Sequence, residues 1–318
     1  MSKKIIFTNG LIDLAQPRLG TKVIFKTDDF FASANRIISP LPAIFKDGLF
    51  DKNGKWMDGW ETRRKRKSGH DYLILKLGKP GRIHKVDIDT SHFNGNQPSK
   101  ISLDVCSSKK NLPDKNQKWT NILSKKSTGP NRHHFFNVKK TSIITHVRLN
   151  IFPDGGVARL RLFGELENKK FGNETINLTS VLNGSVPVAC NNEHFGRAEN
   201  VLAPGQGKNM GDGWETRRSR GKNFDWLIIK CAAAAKIDKI QIDTHHFKGN
   251  YPDQCSIQAA YVNGKVSANT IINKSKLHAH KKHNFLNKLM KKNKVNYLRI
   301  NIFPDGGISR IRVFGKAQ

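Results

Sequence analysis

The run His70-Asp71-Tyr72-Leu73-Ile74-Leu75-Lys76-Leu77 is β-favouring and ends at Gly78-Lys79-Pro80-Gly81, which reads as a turn. From Ile83 to Asp89 the pattern alternates, with Val86 and Ile88 on one face and Asp87 and Asp89 on the other. That period of two predicts a half-buried strand. Further on, Arg148 and Asn150 share one face of a strand while Leu149 and Ile151 share the other, and Arg159 and Arg161 oppose Leu160 and Leu162 in the same way. Pro153-Asp154-Gly155-Gly156 lies between them and predicts a hairpin turn. One face of that hairpin would cover a core, and the other would present arginines to a cleft or to water. No segment sustains a 3.6-residue period over several turns. Many short strands punctuated by Gly, Pro and Asn predict an all-β fold.

These patterns occur twice. Asp58-Gly59-Trp60-Glu61-Thr62-Arg63-Arg64 returns unchanged from Asp212 to Arg218, an offset of 212 − 58 = 154. At that offset 22 of the 41 positions from Asp58 to Pro98 match, so the chain is an internal duplication. The closing block from Asn150 to Gly164 returns from Asn301 to Gly315 at an offset of 305 − 154 = 151. The retained residues include Glu61/Glu215, Arg63/Arg217, Arg64/Arg218, Asp71/Asp225, Asp89/Asp243, His92/His246 and Asn96/Asn250. Cores can be repacked with many apolar sets, so agreement on polar residues points to a shared chemical task. Asp29–Ile37 matches Glu193–Val201 loosely and at another distance from the seven-residue motif, which places a length change in a surface loop between them. In the second copy Cys231-Ala232-Ala233-Ala234-Ala235 stands where the first has Gly-Lys-Pro-Gly, and a changed or looser connection is expected there.

The 318 residues allow two β-sandwich domains, 1–167 and 168–318, with Glu167-Asn168-Lys169-Lys170 as the boundary. The formal net charge of +31 favours anionic partners of some kind. Nine lysines and no acid fall between 265 and 294, and nine Lys or Arg against one Asp between 109 and 140. Such runs read as solvated loop surface, with a polyanion site as the alternative. There is no helix-turn-helix or RNA-binding aromatic signature, so nucleic acid is not the expected partner. Cys106, Cys190, Cys231 and Cys255 form no Cys-x-x-Cys pair, which suggests reduced thiols and a cytoplasmic protein. No signal peptide or membrane span is expected. A homo-oligomer is compatible with all of this.

The two Asp-Gly-Trp-Glu-Thr-Arg-Arg motifs, the Asp-Thr-x-His-Phe-x-Gly-Asn-x-Pro blocks (Asp89 to Pro98 and Asp243 to Pro252) and the two Phe-Pro-Asp-Gly-Gly segments resemble the allantoicase (allantoate amidinohydrolase) family. The resemblance covers both halves with spacing kept. It implies two tandem homologous jelly-roll-like β-sandwich domains and hydrolysis of allantoate to (S)-ureidoglycolate and urea in purine (allantoin) degradation. Allantoate carries a carboxylate, which suits a bidentate arginine fork. Releasing urea needs a proton for the departing nitrogen and a base to activate water. The acid–base candidates are Glu61, His70, Asp71, Asp89 and His92, with Glu215, Asp225, Asp243 and His246. The substrate-binding candidates are Arg63, Arg64, Asn96, Asp154 and Arg159, with Arg217, Arg218, Asn250, Asp305 and Arg310.

Each has a bland alternative. Arg63 and Arg64 point to opposite faces of an extended segment, so one of each pair is structural. Trp60 and Trp214 suit core anchors, and Asp154 and Asp305 could merely cap turns. Glu61, Asp89 and His92 could together hold a divalent metal, but no H-x-x-H or H-E-x-x-H spacing supports it, so no cofactor is expected. His70 precedes Asp71, whereas the second copy has Phe224 before Asp225. On that ground the first repeat is expected to hold the more complete constellation. The competing reading is a catalytically idle binding protein that uses its basic surface for nucleic acid or another polyanion.

Overall fold

Apart from Gln254–Asn263, which pairs with the adjacent Lys265–Lys276, most long strands find their partners far away in sequence, and the two halves do so in the same order. In this computed structural model the described residues are 5–8, 10–139, 141–167, 170–219, 223–263, 265–286 and 294–318. Parts of the start of the chain, of the 167–170 boundary and of the 265–294 lysine run lie outside them. The chain divides into Ile12–Glu167 and a second unit made of Asn168–Gln318 with Met1–Leu11. The described residues before Ile12, expected in the first repeat, therefore fall with the second unit. There Ile6 and Phe7 pair with Cys190 and Ala189. No helix among the described residues is long and apolar enough to cross a membrane.

In the first unit the strand Asp71–Asp89 runs unbroken for 19 residues, so Gly78–Gly81 is not a turn. The first half of this strand lies between Lys22–Lys26 and Ile144–Phe152. Its second half lies between Arg159–Leu166 and His133–Asn137. The strand thus changes sheets, and Gly78 to Gly81 is where it does so. A Cβ at Gly78 would fall 2.1 Å from the Leu19 carbonyl oxygen, so only glycine fits the crossing. Lys100–Cys106 and Thr120–Ser127 extend the first sheet beyond Ile144–Phe152, and Ile12–Asp13 edges the second. Two sheets joined by a shared strand make the β-sandwich.

The core lies between the sheets. Leu73, Leu75, Ile83, Val86, Ile88, Leu103, Leu149 and Leu160 are fully buried. Each such side chain contributes about 1.5–3 kcal/mol when buried. Leu73 and Leu75 are odd-numbered, whereas Val86 and Ile88 are even. A bulge opposite Phe163 and Gly164, between Ile83 and Lys85, restores the inward phase.

The second unit repeats the scheme around Asp225–Asp243, also 19 residues long. Its halves lie beside Val186–Cys190 and Val295–Phe303, then beside Arg310–Ala317 and Lys282–Phe285. The alanine run does not loosen it. Cys231 and Ala235 are buried and the Ala232 N–H donates to the Leu178 carbonyl.

The expected Pro-Asp-Gly-Gly hairpin is not formed. Ile144–Phe152 and Arg159–Leu166 pair with opposite halves of the long strand, not with each other. The segment between them is a corner linking the sheets, and its Gly156-Val157 pairs with Trp60-Glu61. Long-range ladders outweigh the local turn signal here.

Candidate active site

The corner is what gathers the duplicated motifs. In the first repeat the Gly156 N–H donates to the Asn96 carbonyl (2.7 Å) and the Gly155 N–H to the Thr62 hydroxyl (3.1 Å). A Cβ at Gly156 would lie 1.9 Å from the Phe93 ring, and one at Gly155 2.8 Å from the Asn96 carbonyl oxygen. The second repeat matches, with Gly307 to Asn250 at 2.8 Å and Gly306 to Thr216 at 3.0 Å. Three separated segments are therefore fixed against one another by backbone contacts that tolerate only glycine.

At the junction stands a glutamate. Glu61 accepts a hydrogen bond from the Asn96 amide (2.7 Å), and Glu215 accepts one from the Asn250 amide. Burial pushes the Glu61 carboxyl above its ordinary value, with the Asn96 bond pulling the other way. Asp154 and Asp305 close the site from the corner side, each accepting a backbone N–H, from Lys65 and Ser219 respectively (both 2.6 Å). Around Glu215 the walls enclose about 370 Å³, with Arg218, Asn250, Tyr251, Asp253 and Asp305 among the lining residues. Phe195, 63% exposed, stands at its rim. Arg218 makes no hydrogen bond or ion pair among the described residues, so its fork is available to an anion. The first repeat has a separate hollow of about 330 Å³ on the side of Asn96 that faces His92, Phe45 and Lys55.

Other expected site residues lie elsewhere. Arg159 is 2% exposed. Its guanidinium binds Asp58 at 2.6 Å and the carbonyls of Arg36, Leu41, Pro42 and Asp58. Arg310 is used in the same way by Asp212 and the Gly205 carbonyl. Every guanidinium nitrogen of both is engaged within the fold, which gives the substrate-binding expectation no support at these two positions. The pleat does turn these arginines away from the core, but a loop covers that face. Arg63 is clamped by Asp28 (3.0 Å), and Arg217 meets His194 (3.3 Å).

Asp89 and Asp243 are buried and accept the N–H two residues on, from Ser91 (2.8 Å) and His245 (2.9 Å), as turn-forming aspartates do, and the other oxygen of Asp89 lies 3.8 Å from His133 Nε2. Asp71 is held by Thr27 and Lys65, and Asp225 by the Asn191 and Asn192 amides. His70 bonds Asn150 (3.2 Å) and packs at a tilt against Phe152, ring centroids 4.5 Å apart. Phe224 packs against Phe303 at 5.0 Å in the equivalent place, so phenylalanine keeps the aromatic contact of His70 without its hydrogen bond. His92 and His246 direct Nε2 to the carbonyls of Ala43 and Gly207. Trp60 and Trp214 are fully buried, with their indole N–H groups on the carbonyls of Asp28 and Asn192. All four cysteines are free and buried. Burial pushes Cys106 up to about 11 and Cys190, Cys231 and Cys255 up to about 12, which removes them as nucleophiles.

Fold and site together define a tandem-repeat β-sandwich protein with a polar, carboxylate-and-arginine cleft. The allantoicase repeat model matches residues 12–167 and 176–318. A protein named probable allantoicase from Pseudomonas fluorescens (strain Pf0-1) is 47% identical, covering 96% of each chain. One from Rhizobium meliloti is 45% identical, covering 98% of this chain and 95% of its own. The solved allantoicase from Saccharomyces cerevisiae superposes with a TM-score of 0.86 at 32% identity, covering 98% of this chain and all of its own. The chain belongs to the allantoicase family.

Proposed function

We infer that this protein is an allantoicase that hydrolyses allantoate to ureidoglycolate and urea, and that the Glu215 cleft of the second repeat does the chemistry. Full-length identity of 45–47% to proteins named probable allantoicase supports the reaction. The observation that carries the site is the open cleft in which Glu215, Arg218 and Asn250 meet. Arg218 offers a paired donor fork to the substrate carboxylate. Asn250 is placed to bond ureido groups and holds the glutamate in position. At the saturated central carbon the water oxygen displaces the ureido nitrogen, the C–O bond forming as the C–N bond breaks, while Glu215 takes a proton from that water. The proton passes to the departing nitrogen, which leaves as urea. Water and allantoate enter, ureidoglycolate and urea leave, and the carboxylate is regenerated.

Incubating the purified protein with allantoate and assaying urea tests the reaction, and absence of urea release from folded protein overturns it.

A further inference from the structure

We propose that the second repeat holds a divalent transition-metal site formed by His245, His246 and His280, separate from the urea-releasing chemistry. One ring nitrogen from each of the three lies within 4.8 Å of the other two. The His245 ring centroid is 4.1 Å from those of both His246 and His280. Tetrahedral zinc with nitrogen ligands at about 2.0–2.1 Å needs those nitrogens roughly 3.3 Å apart, which small side-chain rotations supply.

Comparison with the first repeat argues that the imidazoles exceed what the backbone needs. The same turn there carries Ser91, His92 and Asn131. His92 and His246 share a positive φ (70° and 73°), as do Asn131 and His280 (49° and 51°). In the first repeat the Asn131 side-chain oxygen accepts the His92 N–H at 2.9 Å. In the second, His280 Nδ1 accepts the His246 N–H at 3.0 Å. An amide does that job, so the second repeat has two imidazoles beyond the turn's requirement, beside a histidine common to both.

The hydrogen bonds set the tautomers. His246 donates from Nε2 to the Gly207 carbonyl (2.9 Å), which leaves the Nδ1 lone pair for a metal and orients the ring as a ligand-supporting contact does. His245 has neither ring nitrogen in a hydrogen bond among the described residues. His280 carries its ring proton on Nε2 in the metal-free state, because Nδ1 is an acceptor. Ligation through Nε2 therefore moves that proton to Nδ1 and gives up the bond to the His246 N–H. The ion then replaces that bond in tying the two turns together. All-imidazole donors select zinc, nickel or copper over magnesium or calcium. The nearest carboxylate on this turn, Asp243, is turned to the His245 N–H.

The test is a calorimetric titration of the EDTA-stripped full chain with zinc chloride, beside the His245→Ser, His280→Asn double variant. These substitutions install the first repeat's own residues and keep an acceptor for the His246 N–H. The native chain should bind one more equivalent of zinc than the variant, or bind that equivalent at least about 100-fold tighter. Zinc should raise its thermal midpoint, magnesium and calcium should not compete, and cobalt should give a tetrahedral nitrogen-ligand spectrum that the variant lacks. His245→Ser alone, which leaves the His280–His246 bond intact, should weaken that equivalent at least about 10-fold. Identical zinc stoichiometry and affinity in native and variant proteins, or no zinc uptake by the native chain, overturns the proposal.

Discussion

In the first repeat Lys65 ion-pairs with Asp71 at 2.7 Å, and Asp28 clamps Arg63 at 3.0 Å. The loop after Ile37 takes 58 − 37 = 21 residues to reach the seven-residue motif, against 212 − 201 = 11 after Val201 in the second. The longer loop supplies Phe45, Lys55 and Met57 to the hollow beside His92. In the second repeat Ser219 replaces Lys65, Asn192 replaces Asp28 and the loop is short. The backbone frame is the same in both, because glycines at the corner accept no Cβ. The side chains around that frame have diverged. Steric necessity keeps the two scaffolds alike, while the polar partnerships around them differ, and Glu215 faces an open cleft.

The largest expected effect separates the two glutamates. Glu215→Gln keeps the side chain's shape but cannot ionise, and kcat for urea release should fall by about 10²–10⁴-fold. Glu61→Gln should cost less than about 10-fold. Equal, severe losses in two folded variants would replace the one-repeat reading with a requirement for both. A severe loss in Glu61→Gln alone would move the chemistry to the first repeat.

A second comparison concerns the frame itself. Arg159 and Asp58, and Arg310 and Asp212, form matching pairs whose arginines are 2% and 3% exposed. Replacing either arginine by methionine strands a carboxylate and several carbonyls, which typically costs about 3–5 kcal/mol. Thermal unfolding should register that loss for both variants. A mild effect in only one would mean that the frames are not equivalent.

Much of this organisation was legible in the sequence. The duplication and the all-β character follow from repeated motifs and a period of two. The errors share a cause: local signals were read as local structure. Gly78-Lys79-Pro80-Gly81 carries turn residues, yet the glycine serves a close strand crossing. The strands flanking Pro153 alternate like hairpin arms, yet each has a better partner in Asp71–Asp89. Arg159 lies on the face away from the core, and nothing local reveals that residues 36–42 cover it. His245 and His280 are 280 − 245 = 35 residues apart, so their meeting shows only in three dimensions. A histidine at 245 and at 280, against Ser91 and Asn131 in the first copy, was the one available signal.

The paired arginines give a smaller effect. Arg218→Met removes a fork that has no partner among the described residues and should raise KM by about 10–100-fold, the loss of roughly 1.5–3 kcal/mol of charge-assisted hydrogen bonding. Arg217→Met, which loses only an exposed contact to His194, should change KM less than about 2-fold. Steady-state kinetics on allantoate decides it. Equal KM effects in the two variants would end the assignment of Arg218 to the carboxylate.

The smallest effect is a pH-dependent difference in stability at Glu61. Its folded pKa lies above the ordinary value of 4.5 because burial disfavours the charged form. A raised folded pKa means that the folded state holds the proton more tightly than the unfolded chain. The stabilisation from that proton is fully present below pH 4.5 and is lost as pH rises through the folded value. Above the folded value the native protein therefore carries a partly desolvated carboxylate. Glu61→Gln removes that charge and retains an oxygen for the Asn96 amide. Its thermal midpoint should exceed that of the native protein at pH 7, and the gain should shrink as pH falls toward 4.5. A variant less stable than the native protein at pH 7 would show that the Glu61 charge balances a cation in the fold. The first repeat's glutamate would then be a structural ion and not a spare copy of Glu215.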